Sequence, residues 1–338
     1  MKEKTCLALF SGGLDSLLAI HVMMDQGIKV IPINFDHGFF FGAYEMRDGV
    51  KKYKAPLPPE IDPIVVDISP DFYEMIKKPK HGYGSNMNPC IDCKIMMMQK
   101  AKELMTQYDA GFVITGEVVG QRPMTQNPQA MVNIEKESGL AGYLLRPLCA
   151  KCIEPTEPEK LGWVDRERLL DISGRGRRRQ LFMADDYNWE EFVKAPAGGC
   201  ILTDECYSVK LKKMLKKKKE EPLVYEELFL MTIGRQFLKE GTWFMVGRKH
   251  EENMELVKHK HMGTLFECKD FPGPAILAIG SIKQETKEFL AAVAAGYSHA
   301  KNDMNKEVEI DEETGGVKTK IRVKPLDINT LQEYRLDV

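Results

Sequence analysis

Phe10-Ser11-Gly12-Gly13-Leu14-Asp15-Ser16 decides how this chain is read. Cys6 to Phe10 before it form a short, sharply bounded apolar run that predicts a buried strand. Leu17 to Met24 after it have the apolar spacing of a helix packed on that strand. Two glycines between strand and helix let the backbone turn tightly and approach an anion with no Cβ in the way. Ser11, Ser16 and the N–H groups of the helix start supply donors. The reading is a phosphate-cradling turn at the mouth of a parallel sheet. The Gly-Lys-Ser/Thr of a kinase-type loop is missing, which disfavours transfer of a terminal phosphate.

Ser-Gly-Gly-Leu-Asp-Ser resembles the SGGxDS signature of the PP-loop ATP pyrophosphatases. That resemblance implies an α/β fold, binding of ATP with Mg2+ through Ser11, Gly12, Gly13, Asp15 and Ser16, and an adenylated intermediate formed with release of pyrophosphate. Further along, Lys29–Phe35 and Ile61–Ile68 read as strands, Gly111–Ile114 as a fourth and Tyr143–Leu148 as a fifth. Strands alternating with helices imply right-handed crossovers and a parallel sheet, with ligands beyond the carboxyl ends of the strands. Asp36 and His37 fall at such an end, His37 being equally readable as a loop histidine of no special role.

The 338 residues, 43% of them hydrophobic, suffice for two cored domains, expected at 1–220 and 221–338. A formal net charge of −2 argues against wholesale polyanion binding and leaves any RNA contact to local basic patches. No run of about 20 apolar residues occurs, and Met1–Lys4 lead directly into the first strand, so the expectation is a cytoplasmic protein with no membrane contact. Eight cysteines in a reducing compartment read as thiols, metal ligands or redox centres rather than a disulfide framework.

Asn88-Pro89-Cys90-Ile91-Asp92-Cys93-Lys94 opens a long helix, Ile95 to Tyr108, whose Met96, Met97, Met98, Ala101, Leu104 and Met105 read as core. Cysteines at i and i+3 of a helix start can face one ligand, and the helix N-terminus lowers a thiol pKa. The stretch resembles the cysteine region of the tRNA 2-thiouridylases and of the cluster-bearing 4-thiouridine synthetases. Many 2-thiouridylases carry Asp where this chain has Cys90, which leaves Asp92 as the stand-in carboxylate. Thr115-Gly116-Glu117-Val118-Val119-Gly120-Gln121 resembles the second nucleotide segment of the 4-thiouridine synthetases, which implies nucleotide contacts by Thr115, Gly116, Glu117 and Gln121. Arg146 and Lys151 are candidate phosphate contacts, and Cys149 and Cys152 read as non-ligands.

Ala197-Gly198-Gly199-Cys200 presents a cysteine on a small-residue turn and resembles the second active cysteine of the tRNA thiolases. Cys93 and Cys200, with Asp15, are thus the catalytic expectation. Cys90, Cys93 and Cys200 are the expected metal ligands. Three thiolates are one short of the four usual for a cubane, which suits a [4Fe-4S] cluster with an open iron and equally suits a persulfide scheme. The extra Cys90 tilts the reading toward the cluster. The sulfur donor is then sulfide or a cysteine-desulfurase persulfide. Neither a rhodanese-like region nor an N-terminal RNA-binding extension is recognisable in these residues, so sulfur delivery and RNA capture are expected to differ from those of many 4-thiouridine synthetases.

Four arginines fall in Gly174–Arg179 and seven lysines in Lys210–Lys219, each readable as a solvated face or as a contact to RNA phosphates or, for the arginines, the ATP tail. From Pro222 on, Val246-Gly247-Arg248-Lys249-His250-Glu251-Glu252-Asn253 and Lys269-Asp270-Phe271-Pro272-Gly273 resemble the RNA-binding domain of the NFACT proteins, with Arg248, Asn253 and Lys269 as RNA-contact candidates. Lys306–Val323 reads as a hairpin turning at Gly315-Gly316. The combined expectation is an ATP-dependent sulfurtransferase that adenylates a uridine of tRNA and replaces its carbonyl oxygen by sulfur, with a homodimer as an admissible assembly. The rivals are a PP-loop ligase acting on a small molecule, which needs none of the three cysteines, and an RNA-binding protein with a non-catalytic nucleotide site.

Overall fold

A computed structural model describes residues 4–192, 200–218, 221–280 and 282–336. It divides into two compact units, Met1–Thr203 and Asp204–Val338. This boundary differs from the division at 220 and 221 read from sequence.

The first unit carries a parallel five-stranded sheet in the order β5-β2-β1-β6-β7. Its strands are β1 (Thr5–Leu9), β2 (Lys29–Asp36), β5 (Ile64–Asp67), β6 (Phe112–Thr115) and β7 (Leu144–Leu145). Every residue of β1 is buried, as a central strand covered on both faces requires. One face packs on α1 (Leu14–Met24) and α6 (Arg178–Asp186), with Leu17, Leu18, Ile20 and Phe112 in the core. The other face packs on α3 (Cys90–Gln107) and α4 (Pro128–Ser138), where Met98 and Ala101 are wholly buried and Met96, Met97, Leu104 and Met105 partly so. The methionines thus fill core space, as their spacing predicts. The short helix α2 (Ser69–Met75) follows β5, and the one-turn helix α5 (Glu157–Lys160) follows β7.

The fifth strand is shorter than Tyr143–Leu148, because Pro147 has no N–H to donate and Arg146 turns its side chain inward. Between β2 and β5 lies an antiparallel hairpin, β3 (Tyr44–Arg47) and β4 (Val50–Tyr53), that sequence reading did not find.

The second unit opens with α7 (Glu205–Lys218) and α8 (Tyr225–Leu230). It is built on an antiparallel six-stranded sheet, order β13-β12-β10-β11-β9-β8. The strands are β8 (Arg235–Lys239), β9 (Thr242–Val246), β10 (Gly263–Cys268), β11 (Ile276–Ile279), β12 (Val308–Thr314) and β13 (Val317–Val323). Helix α10 (Gln284–Tyr297) buries Leu290, Ala291, Val293, Ala294 and Ala295 on this sheet, and α9 (His250–Lys258) joins β9 to β10. Both glycines of the β12–β13 turn have positive φ, as a two-residue hairpin loop demands.

The lysine-rich α7 is less solvated than its composition suggests. It buries Tyr207, Lys210, Leu211 and Met214; Lys210 donates to the Met231 carbonyl at 2.7 Å and Lys218 pairs with Glu227 at 2.5 Å. Among the described residues, no helix is long and apolar enough to cross a membrane.

Candidate functional site

The turn from β1 into α1 is open to solvent at Ser11 and Gly13 while Ser16 is buried beneath it. Ser16 Oγ donates to the Gly13 carbonyl at 2.7 Å, and the two serine hydroxyls lie 3.3 Å apart. Gly13 caps α1 with no side-chain hydrogen bond; the Ser16 N–H turns back to the Gly13 carbonyl at 3.1 Å, and the positive end of the helix dipole is left for an incoming anion. Gly12 has φ +76°, and a Cβ there would meet the hydroxyl of Tyr53 at 2.0 Å. The hairpin β3–β4 therefore lies over the turn. It is fixed there by Asn34, which donates to the Phe10 carbonyl at 2.8 Å and accepts from Tyr44 at 2.8 Å.

β6 runs beside β1, with Thr115 in register with Leu9, and so brings the second loop to the same sheet end. The approach is close: a Cβ on Gly116 would lie 2.5 Å from the Asp15 carbonyl carbon and oxygen and 2.6 Å from the Ser16 nitrogen. Gln121 donates to Asp15 Oδ2 at 2.7 Å. The other carboxylate oxygen, Oδ1, is buried with no hydrogen-bond partner among the described residues. An orphaned buried carboxylate oxygen is costly unless a cation or a donor meets it, and it suits a hard ion such as Mg2+.

Thr115 and Glu117 are both buried. Glu117, 2% exposed, accepts from Thr115 at 3.2 Å and from Arg146 Nε at 3.2 Å. Burial alone would raise its pKa, but Lys94, Arg146 and Thr115 together hold it below the usual carboxylate range. Arg146 is buried as well, between Glu117 and Glu135, the latter at 2.9 Å. The expectation that Arg146 counters a phosphate is corrected accordingly: its charge is already neutralised inside the fold. Lys151 is likewise engaged, by the carbonyl of Glu167 at 2.8 Å and its carboxylate at 3.3 Å. Asp36 pairs with Lys51 at 2.8 Å. His37, 3% exposed, stacks on Phe72 at 4.7 Å; burial, opposed by Asp36, lowers its pKa to about 4, so it is a neutral core imidazole.

The cysteines open α3. Asn88 donates to Cys90 Sγ at 3.3 Å and reaches the sulfur of Met124 at 3.7 Å, three residues beyond Gln121. Asn86 donates to the Thr203 carbonyl at 2.8 Å, which ties the loop before Cys90 to the turn containing Cys200. Cys90, Cys93 and Cys200 come together closely enough that charge on Cys200 or Cys90 raises the pKa of Cys93, and charge on Cys90 raises that of Cys200. Residues Ala197 to Gly199 of the cysteine turn lie outside the described residues.

Burial is the first cause for both thiols and pushes Cys93 and Cys200 up to about 12. The lowered pKa expected at a helix start is thus overturned for Cys93: desolvation outweighs the helix dipole and the Lys94 ammonium that opposes it. Among the described residues, no group of three His, Cys, Asp or Glu side chains is arranged to hold a metal ion.

Asp92 is also removed from the chemistry, since its two oxygens accept the N–H groups of Lys80 and His81 at 3.1 and 2.9 Å. Cys149 is buried and its thiol donates to the Glu117 carbonyl at 3.2 Å. The residue that sequence reading passed over is Lys94, which directly follows Cys93 in the quoted motif. Its ammonium lies 3.5 Å from Glu117 Oε1, so the thiol-bearing helix touches the second loop there.

Residues 2–151 match the family described as thiamine biosynthesis protein (ThiI). Residues 234–335 match the NFACT protein RNA binding domain. A probable tRNA sulfurtransferase of Thermococcus kodakarensis is 28% identical over 169 residues, 49% of this chain and 39% of that protein. Another, of Methanosarcina acetivorans, is 27% identical over 123 residues, 35% of this chain and 29% of that protein. The chain thus spans well under half the length of these relatives. Among solved structures, the C-terminal part of the fibronectin/fibrinogen-binding protein of Streptococcus suis matches with 16% identity and a TM-score of 0.26, covering 48% of this chain and 79% of that one.

Within the NFACT-matching region the three RNA-contact candidates carry internal bonds. Arg248 pairs with Glu252 at 2.6 Å, Asn253 accepts the Ala275 N–H at 3.1 Å, and Lys269 pairs with Glu267 at 3.2 Å.

Proposed function

We propose that this chain is a cytoplasmic ATP-dependent tRNA sulfurtransferase, in which the first unit activates a uridine carbonyl and delivers sulfur to it while the second unit binds RNA. The observation that carries this reading is the 3.5 Å approach of Lys94 to Glu117, which joins the helix bearing Cys90 and Cys93 to the loop that bonds Asp15. The ThiI match over residues 2–151 and the sulfurtransferase relatives support it, and the NFACT match supports the RNA role of the second unit.

In this reading Ser11, Gly12, Gly13 and Ser16 hold ATP phosphates through N–H and hydroxyl donors. Mg2+, when bound, neutralises charge on those phosphates, and Asp15 Oδ1 is the oxygen available to it. Gly116 lets the second loop close on the first, while Thr115 and Glu117 fix that loop from inside and Gln121 orients Asp15.

The uridine carbonyl oxygen attacks the α-phosphorus and pyrophosphate leaves. A poor leaving group is thereby converted into AMP, a good one. A terminal sulfur carried as a persulfide on Cys93 or Cys200, loaded by a persulfide donor, attacks the activated carbon, and AMP departs with the former carbonyl oxygen. The partner thiol then attacks the inner sulfur, freeing the thiolated base and closing a disulfide, which an external dithiol reduces. No step is routed through a [4Fe-4S] cluster, which Cys90, Cys93 and Cys200 would hold if one were bound.

The test is strictly anaerobic purification followed by iron and sulfide analysis, then incubation with ATP, Mg2+, a persulfide donor and unmodified tRNA, with thionucleosides read by mass spectrometry. ATP-dependent thiouridine from iron-free protein is the expected result. Absence of thiouridine with every sulfur source overturns the function, and activity that requires bound iron overturns the persulfide route.

A further inference from the structure

In the second unit the stretch that carries Lys269 also carries Phe271, and Phe271 lines a cavity. The cavity measures about 230 Å³ and lies between the loop that follows β10 and the turn that follows α10. Two contacts clasp these segments together. His299 donates its N–H to the Pro272 carbonyl at 3.0 Å, and Gly273 packs so closely that a Cβ on it would lie 2.7 Å from the Ser298 Cβ. Ala300 and Val308, each 5% exposed, supply apolar lining, and Asn302, Asp303 and Lys306 bring polar groups to it.

Lys260, Lys269, Lys287, Lys318 and Lys320 of this unit are each paired with a glutamate. Lys306 instead has its Nζ 5.9 Å from the centre of the Phe271 ring. Asp303 accepts the Asn305 N–H on Oδ1 at 3.2 Å and the Lys306 N–H on its carbonyl at 3.2 Å, which holds carboxylate and ammonium on one turn. An aromatic face, a carboxylate and a cation at one cavity match the three parts of an unstacked nucleotide: the ring stacks, the amino group donates and the adjoining phosphate meets the charge. The cavity is smaller than the roughly 300–1,000 Å³ of pockets that enclose a whole small molecule, which suits one base rather than a complete nucleotide cofactor. The carboxylate also sets a preference, since it accepts from the amino group of cytosine and repels the carbonyl that uracil has in the same place.

We propose that Phe271, Asp303 and Lys306 form a pocket for a single unstacked base of bound RNA, one that carries an exocyclic amino group, so the base held here is not the uridine to be thiolated. This rests on the reading of the second unit as an RNA-binding domain, and the test separates the two. Binding of full-length protein to short labelled oligocytidylate and oligouridylate and to unmodified tRNA is followed by fluorescence anisotropy, for wild type, Phe271→Leu, Asp303→Asn and Lys306→Gln. Wild type is expected to bind oligocytidylate about fivefold more tightly than oligouridylate. Phe271→Leu keeps apolar volume but removes the ring, and should weaken oligocytidylate about tenfold. Asp303→Asn should bring the two oligomers within about twofold of each other, and Lys306→Gln should weaken both equally and flatten their salt dependence. Equal wild-type affinity for the two oligomers, oligocytidylate binding unchanged in Phe271→Leu, or binding of tRNA but of neither oligomer overturns the pocket and leaves the RNA reading standing. Should Phe271→Leu fail to fold, Asp303→Asn decides, and a preference equal to wild type overturns the pocket. Wild-type protein that binds neither the oligomers nor tRNA overturns the RNA reading itself, and the pocket with it.

Discussion

Gln121 donates to the carboxylate of Asp15 at 2.7 Å, across 106 residues of chain. That bond links the two loops of the first unit and leaves one Asp15 oxygen buried and unmet. Replacing Gln121 by Leu strips the second oxygen too, and a buried acceptor without a partner costs about 1–3 kcal/mol. The expected outcome is a roughly 10- to 100-fold fall in kcat/KM for pyrophosphate release. Gln121→Leu with unchanged pyrophosphate release would show that the bond only closes a loop.

Gly116 is where backbone meets backbone. An alanine there places its Cβ about one ångström inside ordinary contact with Asp15 and Ser16, atoms that have no flexible end to yield. Gly116→Ala is expected to displace the phosphate turn at a cost of about 1–3 kcal/mol. It should lower Tm and weaken ATP binding together in calorimetry, whereas Gly27→Ala, with open space around its Cβ, should affect stability alone through its φ of +74°.

Thiols this poorly solvated should be slow nucleophiles in the resting protein. With pKa values near 12, Cys93 and Cys200 hold roughly 1 part in 10,000 thiolate at pH 8. Iodoacetamide followed by peptide mass spectrometry is expected to label the exposed Cys152 and Cys206 first, and labelling of Cys93 to rise about tenfold per pH unit from pH 8 to 10. Labelling of Cys93 that is fast and flat across this range would place its thiol pKa below 8.

In the second unit Glu252 is a pH-dependent brace. Burial works against its charge, yet bonds from the Arg248 side chain and N–H and from the Gly234 N–H hold its pKa down to about 2. A carboxylate with a lowered folded pKa stabilises above its unfolded value near 4.5, and that stabilisation disappears as pH falls through about 2. Glu252→Gln should therefore cost about 2–3 kcal/mol at pH 7 and little at pH 2. Hydrogen exchange of the β8 to β10 amides in the full chain measures this, and a penalty that is the same at both pH values would contradict it.

How much of this was written in the sequence varies with the range of the interaction. The phosphate turn, the alternation of strands and helices, the methionine face of α3 and the Gly315-Gly316 hairpin are local patterns, set by residues within a few positions of one another. The β3–β4 hairpin is local too and was missed: Tyr44-Glu45-Met46-Arg47 alternates and Asp48-Gly49 turns with positive φ at both positions, but Lys51-Lys52 break the pattern in the second strand; what no local pattern announces is its place over Gly12, which depends on Asn34. Arg146 looked like a phosphate contact because its partners, Glu117 and Glu135, are brought to it only by β6 and α4. The same holds for Cys93, whose place at a helix start favours a thiolate until neighbouring chain removes the water. The juxtaposition of Cys90 with Cys200 depends on the Asn86 to Thr203 bond, which no local pattern announces.

The central claim is that activation and sulfur delivery are two jobs of one crevice, carried by different side chains. The most direct measurement follows pyrophosphate and thiouridine together in single-turnover reactions with tRNA, for wild type, Asp15→Asn, Cys93→Ala and Cys200→Ala. The account predicts that the cysteine variants release pyrophosphate at close to the wild-type rate and form no thiouridine, while Asp15→Asn does neither. Thiouridine formed at the wild-type level by both cysteine variants would contradict it.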